Sequence, residues 1–207
     1  MLSTTPPHLR LESPAVTTTA RDRLLDAAVE AFAEHGFGGT TTRDIAARAQ
    51  MSPAAVYVHH ATKEELLFAI SLRGHQEALD VLATASSGSD SPVEQVASMV
   101  RAFSEWHARN SRIGRVVQYE FGALSPDHRA VIADLRRRME HHMRDALVAG
   151  VDEGVLEVTD VRGTARAVLS LSVDLVRWFE AGGAHTAAEL GRLHADLAVR
   201  MLRPSGA

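Results

Sequence analysis

Residues 40–66 read TTTRDIAARAQMSPAAVYVHHATKEEL, and this run constrains the fold more tightly than any other part of the chain. Thr41 followed at three residues by Asp44 puts a hydroxyl and a carboxylate where a helix start leaves N–H groups free. Ile45, Ala46 and Ala49 then share one helical face. Gln50-Met51-Ser52-Pro53 stops that helix and starts the next, with Ser52 as N-cap and Pro53 at the first helical position, where its missing N–H costs nothing. Val56 is left as the inward anchor of this second helix. Upstream, Leu25, Ala28, Val29 and Phe32 recur at helical spacing over 21–35, and Gly36 is expected to close that helix in a left-handed cap. Three helices of this size share one small core, two of them joined by a tight turn. That is helix-turn-helix geometry, which also occurs as plain helix packing.

The segments GFGGTTTRDIA and SPAAVYVHHATKEEL resemble the DNA-binding domain of the tetracycline-repressor (TetR/AcrR) family of bacterial regulators, over residues 18–67. The resemblance implies a homodimer whose recognition helices, residues 53–59, enter successive major grooves of an operator. It further implies an all-α subunit, the rest of which is a helical ligand-binding and dimerisation domain over 68–203. By position, Arg43 matches a base-contacting residue, Pro53, Ala54, Ala55 and Tyr57 the recognition surface, and Thr42, His59 and Lys63 backbone-contacting residues. Three residues depart from the family pattern. Gln50 stands where glycine is usual, which asks a non-glycine residue to hold a positive φ. Ala54 also replaces a glycine, and His60 takes an apolar core position.

Charge does not by itself announce a nucleic-acid partner. The net charge is −4, and in the reader Arg21, Arg23, Arg43, Arg48 and Lys63 are outnumbered by Asp22, Asp26, Glu30, Glu34, Asp44, Glu64 and Glu65. DNA binding then has to come from locally placed groups and from helix N-termini. The chain has no cysteine, which removes disulfides, thiolate metal sites and a cysteine nucleophile. No apolar run approaches a membrane span, and the first residues lack a signal-peptide core, so a cytoplasmic location without a membrane partner is expected. Pro6, Pro7 and Pro14 among many Ser and Thr mark residues 1–17 as a disordered arm, in which Arg10 either tracks a phosphate or simply waves.

Helical periodicity resumes over 68–85, pauses at the loop SSGSDSP, and continues over 93–109. VVQYEF alternates as a strand would; the resemblance makes it helix. Ser125-Pro126-Asp127 opens a long helix to about residue 153, and Asp160 caps another over 160–181 whose apolar residues run nearly all the way round. A helix apolar on every side needs burial on every side. Residues 187–202 add a stripe of Leu190, Leu193, Leu197 and Met201, and pairing these last two helices with their copies gives a four-helix dimer bundle.

Glu120, Leu124-Ser125-Pro126, Arg136-Arg137, GVLEVTD and RWFEAGG resemble the subset of the family that senses acyl-CoA thioesters in lipid or steroid breakdown. A pocket of Met99, Phe103, Trp106, Tyr119, Phe121, Met139, Met143 and Trp178 would suit an acyl or polycyclic effector, since Met and aromatic side chains adapt to irregular apolar shapes. Arg136, Arg137 and Arg138 are either phosphate holders or a solvated face. His107, Glu120, Glu140, His141 and His142 show no compact metal-ligand spacing, and no cofactor or metal is expected. The expectation is a ligand-responsive repressor. A dimeric carrier and a helical enzyme remain the alternatives, although no nucleophile elbow, phosphate loop or paired catalytic carboxylate appears.

Overall fold

A computed structural model describes residues 19–203, and every regular element among them is helical. The expectation for residues 1–17, Arg10 included, lies outside the described residues. In order the helices are α1 (Ala20–Gly39), α2 (Thr42–Arg48), α3 (Pro53–His59), α4 (Lys63–Ser86), α5 (Pro92–Arg109), α6 (Ser111–Tyr119), α7 (Pro126–Asp152), α8 (Val161–Val173), α9 (Leu175–Trp178) and α10 (Ala187–Leu202), with a 3-10 turn at Phe121–Ala123. VVQY of the segment VVQYEF therefore ends α6, as the resemblance required, while Glu120 leaves the helix and Phe121 opens the 3-10 turn.

Local chemistry explains the starts. Thr41 and Asp44 form a complete capping box, Ser52 Oγ accepts from Ala55 N–H, and Asp160 accepts from Gly163 N–H. Two further boxes, Thr19 with Asp22 and Thr186 with Glu189, carry the same T-x-x-D/E signal. Gln50 does hold a positive φ of 55°. At Gly36 (φ 69°, ψ 167°) α1 kinks and then adds a last turn to Gly39, so the glycine bends the helix where the sequence reading ended it.

In the head, α1 to α3 close over Leu24, Ala28, Phe32, Ile45, Ala46 and Val56, all of them almost fully buried. Burying Val56 alone stabilises this small core by roughly 1.5–3 kcal/mol. His60 is buried beside it with Nε2 unpaired, and burial, helped by Arg21, keeps its pKa low. In the body, α5 packs along α10, and α4 along α7. Gly191 permits the α5–α10 approach: a Cβ there would stand 2.9 Å from the Arg101 carbonyl oxygen. Ser104, Ser172 and His194 then join α5, α8 and α10 through a buried polar chain, at 2.8 Å between hydroxyls and 3.1 Å to the imidazole.

The expected helix over 160–181 is shorter and broken. Its turn fails at Asp174, and the chain leaves helix after Trp178. Its all-round apolar character has two outlets within one subunit: Ala165, Val168 and Leu175 enter the core, while Leu169, Leu171, Val173 and Val176 line a cavity. The face left open lies mainly on α10, where Leu193, Leu197 and Met201 are 47%, 42% and 60% exposed.

Candidate functional site

The reading surface lies on α2 and α3. Arg43 is exposed in the first turn of α2 and makes no hydrogen bond or ion pair among the described residues. Pro53, Ala54 and His59 are exposed on α3 and Ala55 is half-buried. Tyr57 is exposed, and its hydroxyl sits 3.1 Å from Thr42 Oγ1, tying α3 to α2. Val58, 81% exposed, is a further apolar group on this surface that the sequence reading did not single out. Two other cations of the head, Arg48 and Lys63, are committed. Arg48 pairs with Glu34 and Glu30 on α1.

Lys63 differs most from its expected place. Its ammonium donates to the Phe37 and Thr40 carbonyls, the latter at 2.7 Å, and lies 4.2 Å over the Phe37 ring. The last turn of α1 has no basic residue of its own, and Lys63 supplies the cation that a helix C-terminus favours. Thr40 assists, its hydroxyl donating to Ala31 O and Gly36 O. Lys63 is thus first a clamp on the head, with one ammonium donor left over for a phosphate.

In the body a cavity of about 1040 Å³ is bounded by α4 to α10. Phe103, Trp106, Tyr119, Met139 and Trp178 line it, as expected from sequence. Met99, Phe121 and Met143 do not: the two methionines are sealed in the core, and Phe121 stacks on the Arg136 guanidinium at 4.4 Å. Ile113, Gly114, Val117 and Leu169 complete the apolar wall, together with His107, which the sequence reading weighed and set aside as a metal ligand, and His75, which it passed over. The available signal was an imidazole on an otherwise apolar face of α4 and of α5. Each Nδ1 donates to a carbonyl one turn back, Ser71 O at 2.7 Å and Phe103 O at 2.8 Å, and burial drives each pKa down to about 4. Both rings are therefore neutral, with Nε2 as an acceptor. Along the exposed side, Glu140 is held by Arg162 and Arg166, and Asp174 by Arg177. No cluster that could hold a metal ion occurs among the described residues.

Head and body are joined at two places. Glu64, in the first turn of α4, accepts from Ser125 N–H at 2.8 Å and from His128 Nδ1 at 2.8 Å, where α7 begins; the His128 ring stacks on Phe68 with centroids 3.7 Å apart. Burial pushes the Glu64 carboxyl up, but these bonds outweigh it and leave its pKa below the ordinary value. The second joint is α6, which packs on α1. A Cβ on Gly36 would lie 3.3 Å from Glu120 Oε1, just past the end of α6.

A capped helix-turn-helix with an exposed reading face, set under a helical body with a ligand-sized cavity open on one side, defines a ligand-responsive DNA-binding regulator. The comparisons give the family. Residues 24–70 match the family described as bacterial regulatory proteins, tetR family, and residues 89–202 match the tetracyclin repressor-like C-terminal domain. The HTH-type transcriptional repressor KstR2 of Mycolicibacterium smegmatis is 30% identical over 190 residues, covering 87% of this chain and 89% of that protein. A tetR-family regulatory protein from Rhodococcus RHA1 is 40% identical, with a TM-score of 0.86 over 91% of this chain and all of the other. AibR, solved with isovaleryl coenzyme A and operator DNA, is 24% identical with a TM-score of 0.78, covering 90% of this chain and 99% of that one, a likeness of fold. The chain belongs to the TetR family of transcriptional regulators.

Proposed function

We propose that this chain is a homodimeric repressor whose operator grip is released when an apolar effector of acyl-CoA or polycyclic type fills the body cavity. The observation that carries this reading is the shared helix α6. One side, through Ile113, Gly114, Val117 and Tyr119, borders the cavity, and the helix packs against α1 of the head. An occupant that moves α6 has to move α1 or open the α1–α6 contact. Release follows if effector binds better to a state in which the two heads no longer match successive grooves, roughly 34–36 Å apart.

The dimer contact assigned to this reading is the open face of α10 with the outer side of α8. Leu193, Leu197 and Met201 form a stripe that a second copy would cover. The cavity is at the upper end of the usual range for ligand sites, roughly 300–1,000 Å³, which supports a large apolar guest. AibR, with its isovaleryl coenzyme A and operator DNA, supports the same reading by analogy of fold. A regulator of this kind works in the cytoplasm beside its DNA and catalyses nothing. No helix of the described residues is long and apolar enough to cross a membrane.

Operator DNA selected from random sequence, followed by mobility shifts with acyl-CoAs, steroid acids and their neutral analogues, tests the reading. A palindromic site released by at least one such compound is expected. A protein that selects no site is a carrier or an enzyme, and chemical conversion of the compound separates those two.

A further inference from the structure

The run Arg136-Arg137-Arg138 splits in the structure. Arg137 pairs with Asp134 on the exposed side of α7, and Arg138 is exposed, whereas Arg136 is half-buried and lines the cavity. Its Nε donates to His75 Nε2 at 3.0 Å, and its guanidinium lies over the Phe121 ring at 4.4 Å. No carboxylate among the described residues pairs with it. Glu140, one turn further along α7, is taken by Arg162 and Arg166.

A half-buried cation without a counter-ion is costly, and burial here does pull the Arg136 pKa below its ordinary value. The surroundings fix its orientation without cancelling its charge. The Ser71 carbonyl takes His75 Nδ1–H, which turns the Nε2 lone pair of a neutral ring toward Arg136; a carboxylate at that place would have neutralised it. The Phe121 ring, 4.4 Å away, covers one side of the guanidinium. The terminal nitrogens are left as a pre-oriented fork at the cavity wall, a geometry that suits two oxygens of one anion.

We propose that Arg136 is the anion anchor of the effector site, binding carboxylate or phosphate oxygens of a guest whose apolar part occupies the rest of the cavity. This rests on the reading of the cavity as the effector site. It makes the effector an apolar acid or its coenzyme A thioester, and it disfavours neutral hydrocarbons, esters and sterols.

Calorimetric titration of the full chain separates the possibilities, using decanoic acid, decanamide, decanoyl-CoA, coenzyme A alone, lithocholic acid and its methyl ester. Wild type should bind the anionic members at least tenfold more tightly than the neutral ones. Arg136→Gln should erase that preference and leave affinity for the neutral members within about twofold; Arg136→Lys should keep part of it. A melt followed by circular dichroism reports folding of each variant, and if Arg136→Gln is unfolded, Arg136→Lys decides. Tighter binding of the free acids puts a carboxylate on Arg136. Tighter binding of decanoyl-CoA, or binding of coenzyme A alone, puts a phosphate there. Equal affinity for all the anionic members, decanoyl-CoA and coenzyme A included, and the neutral analogues, a preference that survives in both variants, or no binding by any member overturns the anchor. Operator binding by wild type without added compound is scored separately: its loss strikes the regulator reading, whereas operator release by neutral compounds as readily as by acids strikes Arg136 alone.

Discussion

The head and the body put their cations to opposite uses. In the head, Lys63 and Arg48 are committed to α1, on its C-terminal carbonyls and on Glu34, leaving Arg43 exposed and free. In the body, Arg162 and Arg166 pair with Glu140 and Arg177 with Asp174, whereas Arg136 at the cavity wall meets only a neutral imidazole and a ring. A reader needs a rigid frame with few donors, because each must be aimed at one base or phosphate; an effector site needs unspent donors inside, waiting for a guest. Net charge conceals both arrangements, which is why the composition says so little about DNA.

The largest expected effect concerns the faces that each region leaves open. Leu193→Glu or Leu197→Glu puts a carboxylate into the assigned dimer contact and should raise the dimer dissociation constant by roughly a hundredfold or more. Sedimentation velocity checks this, and dimers surviving in both variants would move the interface elsewhere. Leu175, on the helix first expected to form that contact, is sealed inside the subunit, so Leu175→Glu would unfold the body and report nothing on assembly.

Acid should next separate the two regions. His75 and His107 are pushed to about 4 in the folded body, against 6.5 when free. Between those values the unfolded chain binds protons that the native chain refuses. Their contribution is therefore complete above pH 6.5, falls as pH drops toward 4, and levels off below, by up to on the order of 3 kcal/mol for each ring. Denaturant melts at pH 7 and pH 4.5, with His75→Gln and His107→Gln as controls, measure it. Equal pH dependence in wild type and the double variant would show that these rings do not carry the effect.

The smallest effects separate the head's two kinds of cation. Lys63→Met should cost about 2 kcal/mol of stability by freeing the Phe37 and Thr40 carbonyls. If its remaining donor also meets a phosphate, the salt slope of operator binding drops by about one unit. Arg43→Ala should leave stability unchanged and instead flatten one G·C position per half-site, where a bidentate contact is worth about 1–3 kcal/mol. Softer preferences for A·T would persist, since Ala54, Ala55 and Val58 offer only methyl contacts to bases. Binding-site selection with both variants tests the contrast, and a G·C preference that survives Arg43→Ala would reduce Arg43 to a phosphate contact.

How much of this was legible in the sequence follows from the range of the forces involved. Capping is local, so Thr41 with Asp44, Ser52 and Asp160 could be placed from sequence, and Gln50 was legible as the residue that had to take a positive φ. Thr19-Asp22 and Thr186-Glu189 carried the same signal unread. The role of Lys63 depends on a carbonyl 26 residues away, and no helical period reports such a contact. The cavity is harder still: His75, Arg136 and Leu169 meet only after α4, α7 and α8 have packed, and Met99 and Met143 look like pocket residues until the neighbouring helices seal them. Asp174 ended a helix that apolar pattern alone carried on to 181.

The central claim is that filling the cavity moves the heads. The chain has no cysteine, so Ala61→Cys gives one spin label at an exposed site in each head of a dimer. Pulsed electron resonance then reads the head-to-head distance before and after adding a compound that releases the operator. The account predicts a distribution that shifts by several ångströms on release. An unchanged distribution with the compound bound and the operator released would contradict it.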